Sequence, residues 1–101
     1  MRKFEWDEEK AKRNLAEHGV GFKEAQLVFE DRNHLTEMDD RYDYGEERWQ
    51  TTGLSRNLLL LVVAHTIWDE DNDNEVVRII SARIAQPHER RRYGNRKFLG
   101  R

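Results

Sequence analysis

The chain has 101 residues, which allows one modest hydrophobic core and is too short for two domains. It contains no cysteine, which excludes disulfides and thiolate metal sites, and it has no apolar run near the roughly 20 residues of a membrane-spanning helix. We therefore expect a single cytoplasmic domain over residues 1–101, without a membrane segment.

Charge is distributed unevenly along the chain, although the net charge is only −2. Residues 78–101 hold eight basic residues and one acidic residue, which gives a net charge of +7, whereas residues 1–77 have a net charge of −9. A basic segment of this kind indicates a polyanionic partner. A solvated, positively charged tail is the alternative.

The first half of the chain predicts one strand and two helices, followed by a further strand. Residues 3–6 alternate apolar and polar side chains, as a short strand does. Asp7 is typical of a helix N-cap and Gly19 of a helix end, so a helix is expected between them. A second short helix, a strand and a polar loop follow at 21–31, 35–38 and 39–47.

The second half predicts three sequential strands and a final helix. Alternation indicates a strand at 48–55, and "LLLLVVAHT" at 58–66 is apolar enough for a central strand with both faces covered. An acidic turn at 67–75 separates it from a strand at 76–84, and Pro87 indicates the start of a third helix. The order β-α-α-β-β-β-β-α predicts an α+β fold, in which two N-terminal helices and one C-terminal helix pack on a small antiparallel sheet.

The acidic turn does not have the pattern of a calcium loop. Asp69, Asp71 and Asp73 alternate as EF-hand ligands do, but Asn74 and Ile80 stand where that loop requires Gly and Glu. The four histidines also lack the paired spacing of a zinc site. We therefore predict no metal and no cofactor, and we interpret the turn as a solvated hairpin connection.

His65 closes the most apolar segment, on the same face as Leu59, Leu61 and Val63 if the strand alternates regularly. One interpretation is a core histidine whose ring hydrogen-bonds to the backbone. The other is a general acid or base, because an imidazole can gain or lose a proton near neutral pH. The sequence leaves both interpretations open.

Two arginines interrupt the apolar strand at 76–84. Regular alternation puts Arg78 on the face of Val76 and Ala82, and it puts Arg83 on the opposite face. Either Arg83 lies past the end of the strand, or one of the two arginines is structural. An arginine within an apolar strand needs an acidic partner or a wet cleft, so we expect Arg78 to have one.

One face of the third helix carries Glu89, Arg92, Tyr93 and Arg96, at the helical spacings i, i+3, i+4 and i+7. Tyr93 either anchors the helix to the sheet through its ring, or stacks on a base and passes a proton. The guanidinium groups of this face can hold a phosphate bidentately. The two arginines between Glu89 and Arg92 fall outside this face and are expected to be solvated or to face a partner.

Four segments of the sequence resemble, in order and spacing, the BrnT family of type II toxins. They are "KFEWDEEKAKRNLAEHGVGFKEAQLVFED", "DRYDYGEERWQTTGLS", "LLLLVVAHT" and "VVRIISARIAQPHERRRY", and together they extend over about residues 3–93. The combination of "RIISAR" with the later "ER" and Tyr is more specific than any single segment.

The resemblance implies a RelE-like ribonuclease fold and an RNA-cleaving toxin that inhibits translation. It also implies a cognate antitoxin of the BrnA kind, with a ribbon-helix-helix DNA-binding part. The complex of toxin and antitoxin would bind operator DNA and repress its own operon, so that the toxin reaches DNA only through the antitoxin.

A metal-independent ribonuclease has to deprotonate the 2′-hydroxyl, hold the scissile phosphate and protonate the leaving 5′-oxygen. Our hypothesis assigns the phosphate to Arg83 and Arg48, and acid–base catalysis to His65. Tyr93 would position the nucleotide or assist proton transfer, and Glu89 would orient an arginine or act as the base. The further RNA contacts are expected at Arg78, Arg92 and Arg96.

Two other functions fit the same pattern. A non-catalytic module of this fold would bind nucleic acid or an acidic antitoxin segment at its basic end, without cleaving RNA. A structural interaction protein would neither cleave RNA nor bind it in a salt-dependent way. The catalytic hypothesis requires Arg83, the Tyr93 face and His65 to converge on one cleft.

Overall fold

The computed structural model describes residues 2–39, 47–71 and 73–99, with the backbone alone for 96–99. Most of the loop predicted at 39–47 therefore lies outside the described residues. The predicted element order is confirmed. The strands are β1 (Arg2–Glu5), β2 (Leu35–Asp39), β3 (Arg48–Leu54), β4 (Leu60–Asp71) and β5 (Asn74–Ile84). The helices are α1 (Glu8–His18), α2 (Phe22–Ala25), which continues as a 3-10 turn over Gln26–Glu30, and α3 (Pro87–Leu99).

The strands form one mixed sheet in the order β1-β5-β4-β3-β2. Strands β2 to β5 make the antiparallel meander that the sequence predicts. Strand β1 instead pairs with β5 in parallel, which corrects the wholly antiparallel sheet of the prediction. Two ion pairs join these strands, Arg2 with Glu75 and Arg78 with Glu5. Each joins residues 73 positions apart in the chain, so local periodicity could not reveal the pairing.

Helix α1 begins and ends where the sequence predicts. The Asp7 carboxylate accepts the N–H groups of Glu9 and Lys10, which have no partner within the helix. Gly19 has a φ of 71°, a left-handed conformation that favours glycine, and its N–H donates to the carbonyl of Leu15. The second helix is shorter than predicted, since the 3-10 turn replaces its second half. None of the described helices is long and apolar enough to span a membrane.

The helices α1 and α2 and the 3-10 turn cover one face of the sheet, which we call the helix face. Each large apolar side chain that it buries contributes about 1.5–3 kcal/mol relative to an exposed one. The core on this face consists of Val20, Phe22, Ala25, Val28, Phe29, Leu61, Val63, Val77, Ile79 and Ala82.

The opposite face of the sheet, which we call the cleft face, carries Arg48, Gln50, Val62, Ala64, Ser81 and Arg83. Helix α3 packs on one end of it, where Tyr93 and Ala85 cluster with Leu60 and Val62. The fold thus positions a largely polar part of the sheet beside the C-terminal helix.

A β-bulge at Ile80 changes the alternation of β5. Ser81 pairs with Ala64, whereas Ile79 pairs with His65, so Ile80 has no partner in the ladder between β4 and β5. One extra residue shifts every following side chain to the other face of the sheet.

The bulge brings Arg78 and Arg83 to the same face. Their partners on β4 are Thr66 and Val62, which lie four residues apart and therefore point to one side of that strand. The prediction of opposite faces is wrong, because it assumed uninterrupted alternation. Arg83 also lies within β5, which ends at Ile84, and not past the end of the strand.

The acidic connection is shorter than the predicted turn at 67–75. Strand β4 extends to Asp71 and β5 begins at Asn74, and position 72 between them lies outside the described residues. The Asp71 carboxylate accepts the N–H of Asp73 and the side-chain amide of Asn74. In the described ranges, no group of three or more His, Cys, Asp or Glu residues could hold a metal ion.

Candidate functional site

A cleft with a volume of about 310 Å³ lies on the cleft face of the sheet. Four strands and the end of α1 supply its lining residues, which are His18, Asp39, Arg48, Gln50, Val62, Ala64, Ser81 and Arg83. Two arginines at one cleft can bind a phosphate, because a guanidinium presents several N–H donors in a fixed geometry. This cleft is therefore the candidate functional site.

A buried carboxylate holds Arg83 at this cleft. The Arg83 atoms Nη1 and Nη2 donate to Oε1 and Oε2 of Glu89, each at 2.8 Å. The Glu89 side chain is only 6% exposed, and its Oε1 also accepts the backbone N–H of Gln86 at the start of α3. The bidentate pair therefore fixes the plane of the guanidinium at the junction of β5 and α3.

The same ion pair determines the charge of Glu89. The hydrogen bond from Arg83 outweighs the effect of burial and, with the Gln86 N–H, lowers the pKa of Glu89 from 4.5 to about 2. A carboxylate with such a pKa is ionised at neutral pH and is a weak base. Of the two roles predicted for Glu89, the geometry supports that of orienting an arginine.

Arg48 and Asp39 lie opposite each other on β3 and β2, at the other side of the cleft. Asp39 is 7% exposed, and the side-chain amide of Gln50 donates to its Oδ2 at 3.3 Å. The cleft thus combines two guanidinium groups with a buried carboxylate and an amide. Sequence reasoning missed Asp39 and Gln50, because one Asp beside a polar loop and one Gln on an alternating strand carry no distinctive signal.

Asn14 of α1 stabilises the part of the β5 backbone that carries the cleft residues Ser81 and Arg83. Its Nδ2 donates to the carbonyl oxygens of Ala82 at 2.8 Å and Val20 at 2.9 Å, and its Oδ1 accepts the Ala82 N–H at 3.0 Å. Strand β1 pairs with an earlier part of β5, so the Asn14 amide takes the place of a neighbouring strand here. It thereby holds the backbone between Ser81 and Arg83.

His65 lies on the helix face, on the other side of the sheet from the cleft. It is completely buried, and its ring makes an edge-to-face contact with the Phe29 ring, with 5.0 Å between the ring centroids. Its Nε2 lies 2.7 Å from the Thr51 hydroxyl oxygen, and burial lowers its pKa from 6.5 to about 4. Arg83, Tyr93 and His65 therefore do not converge on one cleft, and the geometry favours a core histidine.

Tyr93 anchors α3 to the rest of the protein. Its hydroxyl donates to Oδ2 of Asp31 at 2.6 Å, and its ring packs with Leu60 and Val62. Burial and the carboxylate raise the pKa of Tyr93 well above its usual value, so the phenol keeps its proton at neutral pH. The same Asp31 oxygen accepts the N–H of Leu54 at 2.8 Å. Of the two roles predicted for Tyr93, these contacts support anchoring.

The three arginines expected to bind RNA have different surroundings. Arg78 has the acidic partner that its position predicts, since its Nη1 donates to Glu5 at 2.7 Å. Arg92 forms an ion pair with Glu37 and so connects α3 to β2. The side chain of Arg96 lies outside the described residues. Arg78 is therefore the arginine best placed to extend the cleft face along β5.

His18 is a cleft residue that sequence reasoning did not identify as functional. Its side chain is 41% exposed, and it lines the same cleft as Arg48 and Arg83. An imidazole in this place can accept or donate a proton next to a bound phosphate. Its signal in the sequence is weak, because a histidine before Gly19 equally fits the last turn of a helix.

Comparisons with known proteins give a family match and a likeness to solved structures. The model of the family described as "Ribonuclease toxin, BrnT, of type II toxin-antitoxin system" matches residues 6–89. The 1.1 Å crystal structure of the Brucella abortus ribonuclease toxin BrnT is similar, with a TM-score of 0.56 and 22% sequence identity. That match covers 85% of this chain and 99% of the other, and it shows a shared fold. No curated protein matches the sequence significantly.

Proposed function

The chain belongs to the BrnT family of ribonuclease toxins of type II toxin–antitoxin systems, and we propose that it is an endoribonuclease that cleaves RNA without a metal ion. In this reaction the 2′-oxygen attacks the adjacent phosphorus and the bond to the 5′-oxygen breaks. The products are a 2′,3′-cyclic phosphate and a 5′-hydroxyl. The proposal extends to inhibition of translation in the cytoplasm, neutralisation by a BrnA-like ribbon-helix-helix antitoxin, and operator binding through that complex.

The observation that supports this chemistry best is the position of Arg48 and Arg83 at one cleft of the sheet. The non-bridging oxygens of the phosphate gain negative charge in the transition state, and donors fixed around them stabilise that charge. Arg83 is already oriented by the Glu89 carboxylate, so its guanidinium needs little reorganisation when RNA binds.

His18 takes the acid–base role in this proposal in place of His65. His18 lines the cleft, whereas His65 is buried on the helix face with a pKa of about 4. One proton leaves the 2′-hydroxyl as its oxygen attacks, and one proton is taken up by the leaving 5′-oxygen. His18 is assigned one of these two transfers, and solvent water completes the other.

The test is to remove Arg83 without leaving Glu89 as a buried, unpaired charge. The double variant Arg83→Met with Glu89→Gln should cleave an RNA oligonucleotide about 10²–10³-fold more slowly, which is the usual cost of one stabilising donor. Arg90→Ala is the matched control, because Arg90 is an exposed arginine that follows Glu89 on α3. A folded double variant with the full cleavage rate would contradict the assignment of Arg83.

Analysis of the product ends tests the reaction itself. Cyclic 2′,3′-phosphate ends formed in the presence of a chelator would support metal-independent transesterification. Salt-dependent RNA binding with no cleaved product would favour a non-catalytic binding module of the same fold.

A further inference from the structure

A second groove lies next to Arg48 and the proposed phosphate site. It has a volume of about 550 Å³ and is lined by Glu47, Trp49, Thr66, Ile67 and Trp68. The first two are the immediate chain neighbours of Arg48, and successive residues of a strand are only about 3.3 Å apart. The groove therefore adjoins the cleft at the start of β3, where Arg48 points to the cleft face and Trp49, which pairs with His65, points to the helix face.

Trp68 is an exposed aromatic residue on the far part of β4. It lies three residues beyond His65, which is the last β4 residue paired with β3. It is 43% exposed, so the fold leaves a large apolar ring in contact with water. Such a ring can receive a planar ligand on its face.

Thr66 gives the groove a second feature that the fold does not use. The residue is 5% exposed, and its Oγ1 has no hydrogen-bond partner within the described ranges. A buried hydroxyl without a partner destabilises a protein unless a ligand or water satisfies it. Thr66 lies opposite Arg78 on the cleft face, whereas Trp49 and Ile67 lie on the helix face. The groove therefore lies at the edge of β4 beyond β3, and it reaches the cleft face at Thr66 and Trp68.

We propose that this groove binds an unpaired base of the RNA strand, stacked on the indole of Trp68, beside the nucleotide whose phosphate lies at Arg48 and Arg83. The inference rests on the proposed function, because the RNA strand reaches the groove only when its phosphate is bound at Arg48 and Arg83. Proteins that bind single-stranded nucleic acid combine a cationic groove with aromatic rings on which bases stack. The Glu47 carboxylate and the Thr66 hydroxyl supply acceptors for the N–H groups of a base edge.

The arrangement of arginines supports a strand of RNA as the occupant. Arg83 pairs with Val62 and Arg78 with Thr66, so the two arginines lie four residues, about 13 Å, apart along β4. Trp68 follows two residues after Thr66 on the same face. Two arginines, each paired with a carboxylate, therefore border the path from the cleft to the groove, and their remaining N–H donors can bind the phosphates of a strand.

The test measures binding of a short single-stranded RNA with 2′-O-methyl groups, which cannot be cleaved because its nucleophile is blocked. Trp68→Ala should weaken binding about 10-fold, within the range of base–aromatic stacking. Trp68→Phe should weaken binding no more than about 3-fold, since a phenyl ring also stacks. Leu58→Ala is the matched control, because Leu58 is 78% exposed in the hairpin at the opposite end of β4. Fluorescence anisotropy of labelled RNA gives the affinities, and thermal unfolding establishes that each variant is folded.

An abasic version of the same RNA separates stacking from electrostatic attraction. Trp68→Ala and the unmodified protein should bind the abasic RNA equally. Equal binding of the base-containing RNA by both proteins would overturn the inference, and so would an equal loss of affinity for both RNAs.

The nuclease proposal fails on a different observation, which is the absence of cyclic phosphate ends from any RNA. In that case a base-dependent loss of affinity in Trp68→Ala still supports the groove, in a protein that binds RNA without cleaving it. If cleavage depends on Arg83 but Trp68→Ala does not change the affinity for RNA, the base-binding inference is overturned and the nuclease proposal stands.

Discussion

The two faces of the sheet use the same strands for opposite purposes. Along β4, Leu61 and Val63 lie on the helix face, against α2 and the 3-10 turn, whereas Val62 and Ala64 lie on the cleft face, towards α3 and the cleft. The helix face buries the imidazole of His65 against Phe29 and the Thr51 hydroxyl, while Arg78 and Arg83 on the cleft face are paired with carboxylates. A histidine on the most apolar strand is therefore a poor guide to catalysis, because the side of the strand on which it lies decides its chemistry.

Substituting His18 should give the largest effect on the cleft face. A general acid or base contributes about 10²–10⁴-fold to rate, so His18→Ala should slow RNA cleavage by that factor. The free energy of unfolding should change by less than about 0.5 kcal/mol, because the side chain is partly exposed. His88→Ala is the matched control, since His88 is a 57% exposed histidine on α3. Single-turnover cleavage and urea unfolding measure both quantities, and an unchanged rate in His18→Ala would remove His18 from the mechanism.

Substituting His65 should give the opposite result, a loss of stability with little loss of rate. His65→Ala leaves a cavity on the helix face and should lower the free energy of unfolding by about 2–5 kcal/mol. Thr51→Val removes mainly the hydrogen bond to the ring and should cost about 1 kcal/mol. Cleavage per folded molecule should stay near that of the unmodified protein. A stable His65→Ala protein that no longer cleaves RNA would return His65 to catalysis.

Acid should lower the free energy of unfolding in two pH ranges, one set by His65 on the helix face and one by Glu89 beside the cleft. The pKa of His65 is about 4 in the folded protein and 6.5 ordinarily, so the unfolded chain binds this proton more readily. Stability should therefore fall as the pH decreases from about 6.5 to about 4. The pKa of Glu89 is about 2 in the folded protein and 4.5 ordinarily, so its contribution is present above pH 4.5 and is lost as the pH decreases towards 2.

Urea unfolding at a series of pH values measures both ranges. His65→Leu should remove the pH dependence of the upper range, and Arg83→Met with Glu89→Gln should remove that of the lower range. An upper range that persists in His65→Leu would mean that another group titrates there.

The sequence predicts the elements well where the signals are local. Asp7 and Gly19 bound α1 through hydrogen bonds within a few residues of each other. Alternation indicates β3, and continuous apolar runs indicate β4 and β5. The parallel pairing of β1 depends on contacts 73 residues away, which no local pattern carries. The bulge at Ile80 is equally hidden, because an isoleucine fits a regular β-strand and a bulge alike.

The candidate site is predictable only in part, for the same reason. Arg83 and Arg48 stand out because arginine is unusual on strands that are otherwise apolar or alternating. The location of His65 depends on Phe29, which reaches it from the 3-10 turn, and the location of His18 depends on where α1 crosses the sheet. Both are tertiary facts, so the sequence could propose an imidazole as acid or base without identifying which one faces the cleft.

The hydrogen bonds of Asn14 to Ala82 also bear on aggregation. A strand edge that presents unused N–H and C=O groups is a template for pairing with a second molecule. Asn14 occupies both groups of Ala82 in the part of β5 that lies beyond the ladder with β1. This amide therefore blocks the addition of a foreign strand at that point, and it does so without a further strand of the protein's own.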